Sequence, residues 1–319
     1  MAACVLAIAS CKKDKLQSSA DITAFAVNDV AWTISGTNIT HTYPSETQAG
    51  PLTPTITLSP GATVSPASGA AQDFFTEQGV TYTVTAEDGV NTKIYTAKAV
   101  ITPVASGETG SCIWVITGVE DNYTLAISGN GAMGDYLSTN APPWDGYLTG
   151  IKTLIIHEGV TTVGKWAFYK CSGLTSVTIG NSVTTIGFSA FINCSGLTSV
   201  TIPNSVTTIG DYAFYGCSGL TSVTIPNSVT TVGNYAFAYC SGLTSVTIPH
   251  LVTAIGNYAF EDCSLTSVTN LSAVPQNISS YVFTNIVLSG LTLKVPASSV
   301  AAYRAASVWK DFGTIEATQ

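Results

Sequence analysis

The chain has 319 residues, of which 45% are hydrophobic and only 9% charged, with 19 acidic against 11 basic residues and a net charge of -8. Such hydrophobic content excludes a disordered chain, which needs low hydrophobicity and high charge. The lack of any basic patch argues against nucleic acid and anionic lipid headgroups as partners, and no apolar run reaches the roughly 18–20 residues of a membrane helix.

The first segment, Val5-Leu6-Ala7-Ile8-Ala9-Ser10-Cys11, is a short apolar run ending in small residues and a cysteine. It resembles a bacterial lipoprotein signal peptide with the lipobox Ile8-Ala9-Ser10-Cys11, although no Lys or Arg precedes the run. The resemblance implies lipidation of Cys11, with residues 1–20 acting as signal peptide and tether. It also implies a chain lipid-anchored at the outer membrane and exposed at the cell surface.

Residues 21–103 carry short alternating runs. Thr81–Ala86 and Lys93–Ala97 flank Glu87-Asp88-Gly89 and predict a hairpin, while Ile34–Thr42 and Thr55–Leu58 predict two further strands. Several short strands in so few residues suggest a small β-sandwich. Pro66-Ala67-Ser68-Gly69, Asp73-Phe74 and Tyr82–Gly89 resemble an immunoglobulin-like domain of surface lipoproteins from Gram-negative anaerobes. Residues 104–110, with Ser106-Gly107-Glu108-Thr109-Gly110, have the composition of a linker.

Residues 111–319 are dominated by a repeat. Residues 194–216 read CSGLTSVTIPNSVTTIGDYAFYG, and 217–239 read CSGLTSVTIPNSVTTVGNYAFAY. Residues 171–193 and 240–262 follow the same template, a partial unit precedes them, and a degraded one runs from Cys263 to Asn270. In Leu220-x-x-Val223-x-Ile225 the apolar residues alternate with Ser222 and Thr224, so a strand with one dry and one wet face is expected. Pro226-Asn227 ends it, Val229-x-x-Val232-Gly233 makes a second extended piece, and Tyr235-Ala236-Phe237 is expected to return the chain through a tight 3-10-like segment. One unit cannot bury its apolar edge alone, but stacked units can, with strands about 4.8 Å apart. Phe168, Phe191, Phe214, Phe237 and Phe260 should then form one buried column. Cys171, Cys194, Cys217, Cys240 and Cys263 should form another. Equivalent Cβ atoms about 4.8 Å apart are too far for a disulfide and, in a row, make no zinc tetrahedron, so these cysteines read as small apolar residues.

The template Cys-x-x-Leu-x-x-Val-x-Ile-Pro…Val-x-x-Ile-Gly-x-x-Ala-Phe resembles the BspA-like leucine-rich-repeat family of bacterial surface proteins. Leu125–Met133 with Ala141-Pro142-Pro143-Trp144 resembles its N-terminal cap. Leu293–Ala297, Tyr303 and Trp309–Phe312 resemble its C-terminal cap. The resemblance covers about residues 111–316 and implies a mainly β fold, an N-terminal β-sandwich followed by a capped solenoid with 23-residue repeats. It also implies adhesion or cell–cell contact and brings no catalytic residues.

Nothing in the sequence assembles chemistry. His41, His157 and His250 lie outside any metal-ligand spacing, and neither a nucleophile elbow nor a phosphate loop is present. The acidic pairs Glu120-Asp121 and Glu261-Asp262 read as solvated turns. The expectation is therefore no enzyme, no cofactor and no metal. Between coils the positions around Ala-Phe vary most, and they place Trp166, Tyr169, Tyr212, Tyr215, Tyr235, Tyr239 and Tyr258 on one edge. Such residues suit a contact surface, though a column of them also packs against itself. From Thr161 to Phe260 only Lys165, Lys170 and Asp211 are charged, so a neutral partner is expected. A host or bacterial surface protein fits first, a neutral glycan captured for polysaccharide uptake second. The chain itself is expected to be a monomer.

Overall fold

The computed structural model describes residues 16–43, 50–76, 78–137 and 139–318. The lipobox and Cys11 lie outside them. The chain divides into two compact units, residues 1–102 and 103–319.

In the first unit a three-stranded sheet (Val30–Ala31, Ile22–Val27, Pro54–Leu58) and a five-stranded sheet (Thr33–Ser35, Asn38–Tyr43, Thr92–Ile101, Val80–Thr85, Thr63–Ser65) share one core. Phe25, Trp32, Ile39, Phe74, Tyr82 and Tyr95 fill it. The hairpin expected around Glu87-Asp88-Gly89 is present, with Tyr82 opposite Tyr95. The strand expected over residues 34–42 is instead two strands. Ser35 pairs with Asn38 across a two-residue loop whose Gly36 sits at φ 62°, a conformation that costs glycine little.

The second unit begins earlier than composition suggested. Residues 104–110 are not a linker: Ala105–Thr109 is a strand pairing antiparallel with Cys112–Val119. Gly107 looks like linker chemistry, but a Cβ there would lie 2.9 Å from the Trp114 indole nitrogen. Its missing side chain is what lets that ring pack. Asn122–Gly129 completes the antiparallel cap, then pairs in parallel with Ile151–Ile156, and the solenoid has begun.

Each coil contributes to two parallel ladders. Ser199–Thr201, Ser222–Thr224 and Ser245–Ile248, followed by Ser267–Asn270, Thr292–Val295 and Thr314–Ala317, form the first, and Ser176–Ile179 one coil earlier bonds instead to Ile151–Ile156 in the sheet of the N-terminal cap. Val160–Val163, Thr185–Ile186, Thr208–Ile209, Thr231–Val232 and Ala254–Ile255 form the second, in register at 23-residue steps. The valines and isoleucines of both point inward and are buried, while the Ser and Thr side chains of the first ladder stay outside. Two glycine columns allow the close stacking. A Cβ on Gly210 would come within 2.9 Å of Gly187 C, and one on Gly219 within 2.5 Å of Ser195 O.

Both predicted columns lie inside the core. The phenylalanine rings stack at 5.1–5.7 Å from Phe168 through Phe260 and on to Phe283, tilted by no more than 21°. Trp144 stacks on the N-terminal ring, while Trp309 and Phe312 close the other end edge-on. The indoles of Trp144 and Trp309 donate to Ala167 O and Gln276 O, which satisfies their polar atoms inside the caps. The cysteines do more than fill space. Each thiol from Cys194 onward donates to the carbonyl of the phenylalanine one coil back, as Cys217 does to Phe191 O at 3.2 Å. Burial pushes the thiols of Cys194, Cys240 and Cys263 up, the last to about 12, so these three stay protonated and unreactive.

Candidate binding edge

The return segments of the five coils from Trp166 to Asp262 are runs of turns, not the 3-10 segment the sequence suggested, which appears only in the sixth, at Ser280–Phe283. Two residues per coil adopt left-handed backbone, at positions four apart: Trp166 and Lys170, Ser189 and Asn193, Tyr212 and Gly216, Tyr235 and Tyr239, Tyr258 and Asp262. A side chain in that conformation costs about 1–2 kcal/mol. What offsets the cost is a third ladder. Left-handed residues hand their N–H to the next coil, Trp166 to Phe188 O, Tyr212 to Asn234 O and Tyr235 to Asn257 O, all between 2.8 and 3.0 Å. The Phe N–H groups between them do the same, Phe214 to Ala236 O. A 3-10 helix would keep these groups within the coil and leave the stack without lateral bonds.

This geometry throws the aromatic residues onto one edge. Tyr212, Tyr235, Tyr258 and Tyr281 stack ring on ring at 4.6–5.1 Å, tilted by 9–19°. Phe188 and Trp166 extend the row toward the N-terminal cap with tilts of 58° and 48°. Beside it, Tyr169 leans on Trp166, and Tyr215 leans on both Tyr212 and Tyr239. All seven aromatic residues picked from the sequence therefore meet on one surface. Most are half-buried, and Tyr239 is 42% exposed.

Two members were missed. Phe188 precedes the position homologous to Tyr212, which in its coil is the buried Ser189, and its ring swings into the vacant place in the row. Tyr281, 53% exposed, follows Tyr258 by 23 residues, and that period was the available signal. It was hidden because Cys263-Ser264-Leu265 lacks the template glycine, so the repeat seemed to fade at Asn270. The variable position before each ring is structural elsewhere. Asp211 accepts from the backbone N–H of Asn234 at 2.7 Å, and Asn234 passes the same bond to Asn257.

The edge carries a single charge in its middle, Asp211, and opposite charges at its two ends, Lys170 at one and Glu261 with Asp262 at the other. Burial, then neighbouring Asp211 and the other tyrosines, raises the Tyr212 phenol, and the carboxylate of Glu261 is the main cause of the rise at Tyr239. These hydroxyls therefore remain donors. Lys170 lies over the Tyr169 ring at 4.8 Å, and Lys165 pairs with Asp135 at 3.1 Å. At the far end Glu261 is pushed up by burial and by Asp262, which holds Asn285. Near Lys170 an open hollow of about 420 Å³ is lined by Asp145, Thr149, Ser172 and Asn193. Among the described residues no three His, Cys, Asp or Glu side chains are grouped to hold a metal ion.

Residues 147–266 and 230–303 match the model for the BspA type leucine rich repeat region, in six copies. The repeat region belongs to the BspA-type leucine-rich-repeat family. Residues 22–99 match the model described as SGBP, N-terminal. None of the curated proteins matches the chain. Among solved structures, a leucine-rich repeat protein from Bacteroides ovatus is 18% identical, with 68% of this chain and 67% of that one covered and a TM-score of 0.34. A leucine rich cell surface protein from Faecalibacterium prausnitzii is 18% identical, covering 68% and 96%, with a TM-score of 0.25. A chain from Bacteroides thetaiotaomicron, whose name proposes a glycoside hydrolase, is 28% identical over 34% of each chain, with a TM-score of 0.26, so this chain spans about a third of its length. Within the BspA-type repeats of this chain the Phe and Cys positions that do not change from coil to coil are core, and the aromatic positions that change form the edge.

Proposed function

We propose that this protein is a non-catalytic, adhesin-like module that binds another protein at the cell surface through the aromatic edge of its BspA-type repeats. One observation carries the reading: the rings that vary between coils are gathered on one continuous surface whose centre holds a single charge, Asp211, itself bonded to Asn234. Tyr and Trp supply large contact area with few rotors, which is why they dominate protein interfaces. The same stack counts against sugar capture along the main row. A sugar packs on a free ring face, and the inner rings spend both faces on each other. Among the described residues no helix is long and apolar enough to cross a membrane, and anchoring through lipidated Cys11 completes the proposal.

The test is binding of the purified chain to immobilised host-matrix and bacterial surface proteins, with a glycan array in parallel. Tyr239→Ala is the informative variant, because Tyr239 is exposed and stands outside the stacked row. Retained folding with about tenfold weaker protein binding is expected, the loss of one moderate interface residue. Binding confined to glycans, or protein binding indifferent to Tyr239→Ala, overturns the reading.

A further inference from the structure

The charges on the aromatic edge have an order. The first coil carries Lys170, whose ammonium lies over the Tyr169 ring. The fifth coil carries Glu261 and Asp262, of which Glu261 has no salt-bridge partner among the described residues and is pressed by burial and by its neighbour. Between them lie Phe188, Tyr212, Tyr215, Tyr235 and Tyr239. The one charge in that stretch, Asp211, is held by the backbone and side chain of Asn234. Four coil steps separate the ends, about 19 Å at the usual strand spacing.

Turning such a surface end over end about its middle brings each cation onto the anionic end of the other copy. We propose that the aromatic edge pairs with the same edge of a second copy of this chain, antiparallel, about a two-fold axis at the coil of Tyr215. The proposal rests on this edge being the contact surface, as argued above, and it replaces the expectation of a monomer. An isologous arrangement makes both Lys170–Glu261 pairs at once, whereas a parallel one sets lysine against lysine. The centre then closes ring against ring, with Tyr239 and Phe188, 42% and 36% exposed, as the side chains with most surface to cover. Five coils by one return segment offer on the order of 350 Å² per copy, less than half of what a stable complex buries on each side. The dimer is therefore weak and concentration-dependent, suited to molecules crowded on a surface.

Sedimentation equilibrium on the full chain over a wide concentration range tests this. The mean mass is expected to climb toward twice that of the chain, with the climb suppressed by high salt. Lys170→Glu alone, or Glu261→Lys alone, should weaken association about tenfold, since like charges then oppose each other at both ends. Combining Lys170→Glu with Glu261→Lys should restore it. A chain that stays monomeric throughout, or a double variant no better than the single ones, overturns the proposal. The two readings fail separately. Monomeric chain with Tyr239-dependent binding to another protein removes the second copy as partner but keeps the edge, whereas loss of Tyr239 dependence in both assays removes the edge itself.

Discussion

Replacing Phe214 by alanine strikes the middle of the phenylalanine column. Its ring is fully buried between Phe191 at 5.2 Å and Phe237 at 5.3 Å, nearly parallel to both. Buried Phe→Ala changes cost about 3–5 kcal/mol. The upper part of that range applies here, because the coils above and below are pinned by ladder bonds and cannot close the cavity. Phe214→Leu, which keeps most of the volume, should cost about 1–1.5 kcal/mol. Tyr281→Ala, on the exposed edge, should stay within about 1 kcal/mol. Because each coil touches only its neighbours, the damage should also split the solenoid's cooperativity. Urea unfolding followed by near-ultraviolet circular dichroism reads both effects, as a lower midpoint and a shallower transition. A loss below about 1 kcal/mol for Phe214→Ala, with the slope unchanged, would refute the claim that the column holds the stack together.

Three further outcomes follow from the same geometry. Gly210→Ala should destabilise by about 1–3 kcal/mol through backbone overlap. Gly146→Ala, whose added Cβ meets nothing within 4 Å, should be close to neutral in the same urea unfolding. The cysteines from Cys194 to Cys263, all buried and hydrogen-bonded, with burial raising the thiols of Cys194, Cys240 and Cys263, should resist a thiol reagent in the native protein and react only as the solenoid opens. Rapid native labelling of Cys217 or Cys240, read by mass spectrometry, would contradict that. In the first unit the Asp21 carboxyl is lowered to about 2, by Lys93 first and then by Ser19 and Tyr95. A depressed carboxylate stabilises above its unfolded value near 4, and the contribution is lost as pH falls toward 2. Acid titration should show the loss in that window, and Asp21→Asn should flatten it; an unchanged profile counts against the pairing.

The solenoid was legible because its information is repeated. Cys, Leu, Val, Ile and Phe recur at one period, and a residue that returns every 23 positions has only its own copies to pack against, which dictates the columns before any coordinate is known. The seven edge aromatic residues could be named for the same reason. What sequence did not determine were features set by partners elsewhere in the chain. Residues 105–109 look like a linker until Trp114 occupies the space beside Gly107. Phe188 looks out of register until its ring fills the gap left by Ser189. The cysteine thiols look merely apolar until the carbonyl one coil away gives each a bond. Local pattern chose which residues face inward. Only the stacking of coils decided which atoms they meet there, because those contacts lie a full repeat apart and depend on backbone turns that side-chain type alone does not specify.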